Sequence, residues 1–282
     1  MKRIVVLGAN GQLGQTLKSL VNKEQISYDF YSREDLDITD KESLEDSLEK
    51  ESYNFCINCA AYTNVEQAEK DVDKAFLINA QGVKNVAEVC KSKKIKLIHI
   101  STDYVFDGKK RKPYTTTDHP NPINQYGKSK LRGELYIKDA IEEYYIIRTS
   151  WLYSRYNKNF LKTIIKKTKE NSSLNITTEE QGTPTSCTDL CKFIIYLINS
   201  DSIPFGTYNF SARGQTTWYG FAKEIVLHFN PNRLSNLNPI NSFKTVANRP
   251  KYSVLDISET ENVYMNLNTW RKSVKTLVDE LR

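Results

Sequence analysis

Short apolar runs alternate along the chain with longer stretches in which apolar residues recur every three or four positions. Residues 3 to 7, Arg-Ile-Val-Val-Leu, form a strand-length apolar run. Gly8-Ala-Asn-Gly11-Gln-Leu-Gly14 follows, then a helical stretch from Gln15 to Val21. The pattern repeats as a strand from Ser27 to Tyr31, a helix from Lys41 to Lys50, and a strand from Tyr53 to Cys59. An amphipathic helix from Asp71 to Lys91, a strand from Ile95 to Ile100 and a strand from Tyr144 to Arg148 complete it. This alternation predicts an α/β fold, a Rossmann-like doubly wound parallel sheet.

Past Trp151 the regularity weakens. A basic amphipathic helix is expected from Asn159 to Lys169, a turn over 181–185, and helices from Thr188 to Asn199 and Trp218 to Phe229. Gly206 to Ser211 reads as a strand, 230–242 as a loop rich in Asn and Pro, and Asn268 to Leu281 as a closing helix. We therefore expect a dinucleotide-binding domain over 1–148. Residues 149–282 are expected to form a smaller, mainly substrate-binding domain, with some segments returning to the Rossmann core.

Strand, glycine loop and helix in that order give the loop between Gly8 and Gly14 its chemical meaning. Glycines permit a tight turn and close backbone approach to a pyrophosphate, and the helix N-terminus offers free N–H groups and positive partial charge. The spacing is G-x-x-G-x-x-G rather than G-x-G-x-x-G, so the loop alone is weak as a signal. After the second strand, where an NAD enzyme usually places an acidic residue on the adenosine ribose, stand Ser32 and Arg33. An arginine there suits the 2′-phosphate of NADP, and no carboxylate repels it. Ala60, Ala61, Tyr62 and Thr63 lie just beyond the third strand, where small residues leave room for a ligand at the carboxyl edge of a parallel sheet.

Tyr126 and Lys130 are four residues apart, so on a helix both side chains reach one ligand. A tyrosine phenol ordinarily titrates near ~10. A neighbouring ammonium is expected to lower that value and make the phenol a proton donor to a ketone oxygen near neutral pH. With 17 tyrosines in the chain the spacing alone is common. Its weight comes from the nucleotide loop and from the hydroxyl-rich strand end Ser101-Thr102-Asp103-Tyr104.

Composition excludes some other classes. The net charge of +6 is scattered apart from Lys109-Lys110-Arg111-Lys112, which favours an anionic small substrate over nucleic acid. No 18-residue apolar stretch or signal peptide is evident, so no membrane partner is expected and the location is read as cytoplasmic. Five cysteines, an odd number, point to reduced thiols. Cys56 and Cys59, an odd number of residues apart on a strand, point to opposite faces as core residues. His99, His119 and His228 lack metal-site spacing.

The glycine loop, Asn58-Cys-Ala-Ala61, Ser101 to Gly108 and Tyr126-x-x-x-Lys130 together resemble the extended short-chain dehydrogenase/reductases. Within them, Leu36 to Asp40, Ala60 to Thr63, Pro120-x-Pro122-x-x-x-Tyr126-Gly127 and Arg148 to Trp151 are similar to the dTDP-4-dehydrorhamnose reductase family. Gln181-Gly182-x-Pro184-Thr185 and Arg249-Pro250-x-x-Ser253-x-Leu255 extend that match nearly end to end. The resemblance implies NADPH-dependent reduction of the C4 ketone of a dTDP-linked 4-keto-6-deoxy sugar, with NADH open as a second donor. In that scheme Tyr126 is the general acid, Lys130 lowers its pKa and binds the nicotinamide ribose, and Thr102, with Ser101, holds the carbonyl oxygen. Asp103 and Trp151 line the sugar pocket, and Arg249 is a candidate for the substrate diphosphate. Gly8, Gly11, Gln12, Leu13 and Gly14 hold the pyrophosphate. Asp37 and Ile38 sit at the adenine, and Ala61, Tyr62 and Thr63 pass beneath the cofactor. Asn79 supports the lysine through structure. Some members of the family hold magnesium between subunits on glutamates, one near the first helix. Here that place holds Gln15, so no metal is expected, while a homodimer stays open. Two other readings remain: a reductase of a different nucleotide keto sugar, and a noncatalytic NADP-binding regulatory subunit of methionine adenosyltransferase.

Overall fold

The computed structural model describes residues 2–21, 26–242 and 244–282. In chain order the first elements are β1 (Lys2–Leu7), α1 (Gln12–Leu20), β2 (Ile26–Tyr31), α2 (Lys41–Glu49), β3 (Phe55–Asn58), α3 (Val65–Ala68) and α4 (Val72–Phe76). They continue with α5 (Val83–Lys93), β4 (Lys96–Thr102), α6 (Gln125–Ala140), β5 (Tyr144–Thr149) and β6 (Leu152–Tyr153). Then come α7 (Phe160–Lys169), β7 (Leu174–Thr177), β8 (Gln181–Gly182), β9 (Thr185–Ser186), α8 (Cys187–Asn199), β10 (Gly206–Phe210) and β11 (Thr216–Thr217). The chain closes with α9 (Trp218–Phe229), β12 (Leu237–Ile240), α10 (Ser258–Val263) and α11 (Trp270–Leu281).

Six strands form one sheet in the order β10-β5-β4-β3-β1-β2, and every pairing in it is parallel. The expected doubly wound sheet is thus the architecture. Alternation along each strand sends side chains into two cores. Ile4, Val6, Phe55, Ile57, Ile98 and Ile147 meet Leu13 and Leu17 of α1 and the apolar face of α8. Val5, Leu7, Cys56, Leu97 and Ile146 meet α2, α5 and α6 on the other side. Cys56 and Cys59 pack into opposite cores, as their spacing predicts, and both are free thiols. A third core joins α7, α9 and α11 around Tyr153, Phe221 and Trp270. The edge strand β10 and helix α8 come from beyond residue 149 yet belong to the central sheet and its cover. Among the described residues, no helix is long and apolar enough to cross a membrane.

The strand order reverses direction between β1 and β3, the crevice where open α/β sheets take ligands. There Gly8, at φ +79°, lies so close to the next strand's end that a Cβ would fall 2.6 Å from Ala60 N. Only glycine satisfies both the positive φ and that approach.

Three local expectations are corrected. Helix α1 begins at Gln12, not Gln15, so Gly14 sits inside its first turn. The expected helix from Asp71 to Lys91 is interrupted by a π turn over Leu77–Gly82. That turn carries buried Asn79, whose side chain accepts from Tyr62 N (2.8 Å) and donates to Tyr62 O (3.0 Å) and Ser129 Oγ (3.0 Å). The 230–242 loop holds a 3₁₀ turn at Pro231–Asn236 and strand β12, paired with β7. An Asn- and Pro-rich composition concealed a strand that pairing to β7 stabilises.

One buried ion pair ties the second layer to the sheet. Arg148 on β5 and Glu134 on α6 are essentially without solvent exposure. Arg148 Nε donates to Glu134 Oε1 (3.0 Å) and Nη2 to Oε2 (2.7 Å). Ser101 on β4 adds an Oγ–H bond to Oε1 (2.5 Å), and Arg148 Nη1 reaches Thr116 O (3.3 Å). Removing one charge strands the other in a dry interior. Glu134→Ala is therefore expected to lose roughly 3–5 kcal/mol of stability, while Glu134→Leu with Arg148→Met recovers most of it. Chemical denaturation of the three proteins checks this. Equal losses in the single and double variants would show that the pair is not coupled.

Candidate active site

Helix α6 begins where Asn124 caps it. Asn124 Oδ1 accepts from Gly127 N (2.7 Å), and its amide donates to Asn248 O (2.8 Å). Gly127 must be small, because a Cβ there would fall 2.1 Å from Tyr104 O. The helix thus seats directly on the turn after β4, and Tyr126, Lys130 and Glu134 descend one face towards the sheet. Tyr126 and Tyr104 meet edge to face, with ring centroids 5.9 Å apart.

The groove over the carboxyl edge of the sheet has two adjoining compartments. The first, about 500 Å³, is lined by Gly8, Gly11, Ala60, Ala61, Tyr62 and Thr63, and beyond them by Arg33, Asp37 and Ile38. The second, about 540 Å³, is lined by Gln12, Leu13, Ser101, Thr102, Asp103 and Tyr126, and beyond them by Lys130, Trp151 and Arg249. Gly11, Cys59, Ala61 and Thr63 border both, so the compartments form one continuous groove. Helix α1 opens onto it with no side-chain cap at Gly11, leaving its first backbone N–H groups free for an anion.

Two of the expected cofactor residues do not line the groove. A Cβ at Gly14 would fall 2.7 Å from Ala9 Cα and O, so this glycine lets α1 close on its own loop. Ser32 is buried and braces the turn after β2: its N–H donates to Asp35 Oδ2 (2.9 Å) and its hydroxyl accepts from Asp35 N (3.4 Å). Arg33 reaches the groove, but in company. Its Nε donates to Asp37 Oδ2 (2.9 Å), and Glu34 stands beside it on the wall. The expectation of a region free of carboxylates is therefore corrected.

Buried surroundings set the titration of the central groups. Burial pushes the Tyr126 phenol up to about 12, with the Thr102 hydroxyl opposing and the Asp103 carboxylate reinforcing the shift. Burial also brings the Lys130 ammonium down to about 8, against the pull of Glu134. The Lys130 ammonium donates to Ile100 O (2.6 Å) and lies 3.2 Å from His99 Nε2. It is not turned to the phenol, so the expected depression of Tyr126 by Lys130 does not occur in this state. Burial first, and Lys130 second, hold His99 well below its ordinary range, leaving the ring neutral. Thr102 Oγ1 donates to Asp103 Oδ1 (3.1 Å). Asp103 Oδ2 is buried with no hydrogen-bond partner among the described residues, and burial raises that carboxyl to about 7. The Ser101 hydroxyl is committed to Glu134 rather than to the groove.

Arg249 is held from behind the second compartment by carboxylates that the sequence did not reveal. Arg249 Nη2 pairs with Glu66 Oε1 (2.7 Å), and Glu66 Oε2 accepts from Val246 N (2.8 Å). Glu180 is raised by burial, with Arg249 and the Trp218 indole pulling it back. Trp218 and Phe160 complete the wall. Glu66 and Glu180 carry no spacing signal, because their partner Arg249 is distant in sequence.

The RmlD substrate binding domain model matches residues 1–282. The chain is 32% identical to a dTDP-4-dehydrorhamnose reductase of Aggregatibacter actinomycetemcomitans over 98% of each protein. It is 33% identical to a dTDP-4-keto-6-deoxy-D-glucose reductase of Streptomyces niveus, over 90% of this chain and 88% of that one. The crystal structure of a dTDP-4-dehydrorhamnose reductase from Bacillus anthracis in complex with NADP superposes with a TM-score of 0.94 at 37% identity, over 99% of this chain and 100% of that one. A full-length match to one family model, supported at this identity and coverage, places the chain in the RmlD substrate-binding-domain family, to which it belongs.

Proposed function

We propose that this protein uses NADPH to reduce the C4 ketone of dTDP-4-dehydro-L-rhamnose to dTDP-L-rhamnose. One observation carries the reading: Thr102, Tyr126 and Lys130 line one compartment, and it opens directly into the glycine-loop compartment. The uncapped start of α1 and the glycine-tight approach of Gly8 to Ala60 fit a dinucleotide diphosphate. The relatives named as dTDP-sugar reductases support a dTDP-linked 4-keto sugar as substrate, and the NADP-bound neighbour supports the cofactor.

NADPH, when bound, supplies the hydride that adds to C4. As the carbonyl π pair moves to oxygen, the Tyr126 O–H bond breaks and its proton goes to that oxygen. Solvent later returns a proton to the phenolate. A phenol held up near 12 is fully protonated at neutral pH, which suits a donor. The Thr102 hydroxyl stabilises the growing negative charge on the same oxygen. Lys130, charged below about 8, binds the nicotinamide ribose and favours the phenolate as it forms. Arg249 meets the substrate diphosphate, and Asp103 and Trp151 meet the sugar.

Tyr126→Phe is expected to keep NADPH binding and lose roughly 10²–10⁴-fold in kcat, the range of a general acid. NADPH oxidation with the keto sugar nucleotide reads the loss, and near-normal turnover would overturn the assignment. The pH profile has a stated sign. The Lys130 ammonium is charged below its pKa, so kcat/KM should hold on the acid side of about 8 and fall as pH rises through it. NADPH affinity should weaken over the same interval, and a profile flat from pH 7 to 9 would contradict the role of Lys130. Arg33→Ala should lower the NADPH/NADH ratio of kcat/KM. An unchanged ratio would mean that Arg33, held by Asp37, does not read the 2′-phosphate.

A further inference from the structure

Directly after β5 the chain turns through Trp151 at φ +45°. A bulky residue in the left-handed region is uncommon and persists only where its surroundings hold it. Two surfaces do so here. The Trp151 indole stacks on Trp218 with ring centroids 3.7 Å apart and planes 9° from parallel. On the Gly182 side the ring comes so close that a Cβ would fall 2.6 Å from Trp151 Cε2. The two supports share one scaffold. Thr216 pairs with Gly182 and Thr217 with Gln181 in the antiparallel β8–β11 ladder, and Trp218 follows immediately as the first residue of α9. Thr217 caps that helix by accepting from Gly220 N (3.1 Å), which fixes where Trp218 begins. Phe160 packs on the Trp218 ring at 4.6 Å. Both indoles line the compartment that holds Thr102 and Tyr126.

We propose that Trp218 is a positioning and specificity-determining residue. It holds Trp151 in its left-handed conformation, and the two stacked indoles form one aromatic wall for the apolar face of the 6-deoxy sugar. The inference rests on the reductase reading and deepens it. A hexose that has lost its C6 hydroxyl presents a methyl group beside ring C–H bonds, and that surface suits indole better than water. The wall is rigid before substrate arrives, because the ladder and the helix cap set both rings, so little order need be lost on binding.

Two routes disturb the wall from opposite supports. Trp218→Leu removes the stacking partner, and Gly182→Ala pushes a methyl group into Trp151. Each should raise KM for the keto sugar nucleotide by about tenfold, the size expected when an aromatic contact is lost, with the NADPH Kd unchanged. Trp218→Phe, which keeps a ring, should recover most of the KM lost in Trp218→Leu. Inhibition by dTDP, which lacks the sugar, should not change in any of the three. Far-ultraviolet circular dichroism reports position apart from turnover: the exciton couplet of the stacked indoles should shrink in Gly182→Ala, where both tryptophans remain. An unchanged KM in Trp218→Leu, or an equal weakening of dTDP, would overturn the sugar wall. A full couplet in Gly182→Ala would overturn the positioning role. A wild type that does not turn over the keto sugar would overturn the reduction reading instead, while the couplet still decides whether Trp151 is held.

Discussion

The buried Arg148–Glu134 pair is the constraint on which the site's geometry depends. Glu134 lies one helical turn beyond Lys130, and Lys130 one turn beyond Tyr126, so the face of α6 that carries the candidate catalytic pair also carries the anchor. The guanidinium grips both carboxylate oxygens, and Ser101, next to Thr102, donates to one of them. α6, β4 and β5 are thereby locked at one point. A dry ion pair is costly to form, yet its two-pronged geometry permits a single alignment of helix against sheet. Any slip of α6 along the sheet breaks several charged hydrogen bonds at once. The π turn at Asn79 adds a second clamp, tying Ser129 on α6 to Tyr62 on the wall of the cofactor compartment.

Desolvation governs the electrostatics of the groove. It raises the acids Tyr126 and Asp103 and lowers the bases Lys130 and His99, so each group is driven towards its neutral form. The direction suits the donor role proposed for the phenol, which stays protonated at neutral pH. At Lys130 the same force works against the charge, and Glu134 offsets part of it. The lysine rests against the Ile100 carbonyl and His99 rather than the phenol.

The far side of the groove is organised differently. Its arginine, Arg249, is balanced by Glu66 and Glu180, carboxylates from two other segments of the chain. Its apolar residues, Trp151, Trp218 and Phe160, gather on the third core.

Local pattern made much of this legible. Apolar strand runs and helix periodicity in 1–148 specify the sheet because they encode burial residue by residue, and Tyr126 and Lys130 are read from a spacing within one helix. Gly8 is read from a loop whose neighbours in sequence are its neighbours in space, apart from Ala60. The sequence failed where a partner lies far along the chain. Gly14 and Ser32 have the right identity for a cofactor loop, but only packing shows that they close turns behind the wall. Lys130 stands four residues from Tyr126, yet which acceptor its ammonium finds is decided by His99 and Ile100 on another strand. The sequence by itself determined the layers, the glycine loop after the first strand and the candidate residues for the chemistry, because those follow from local spacing and burial. The tertiary structure alone decided the Glu134 anchor, the π turn at Asn79, the Glu66–Arg249 contact and the Trp151–Trp218 stack. Each of these is a contact between distant segments, and only the folded backbone sets its distance.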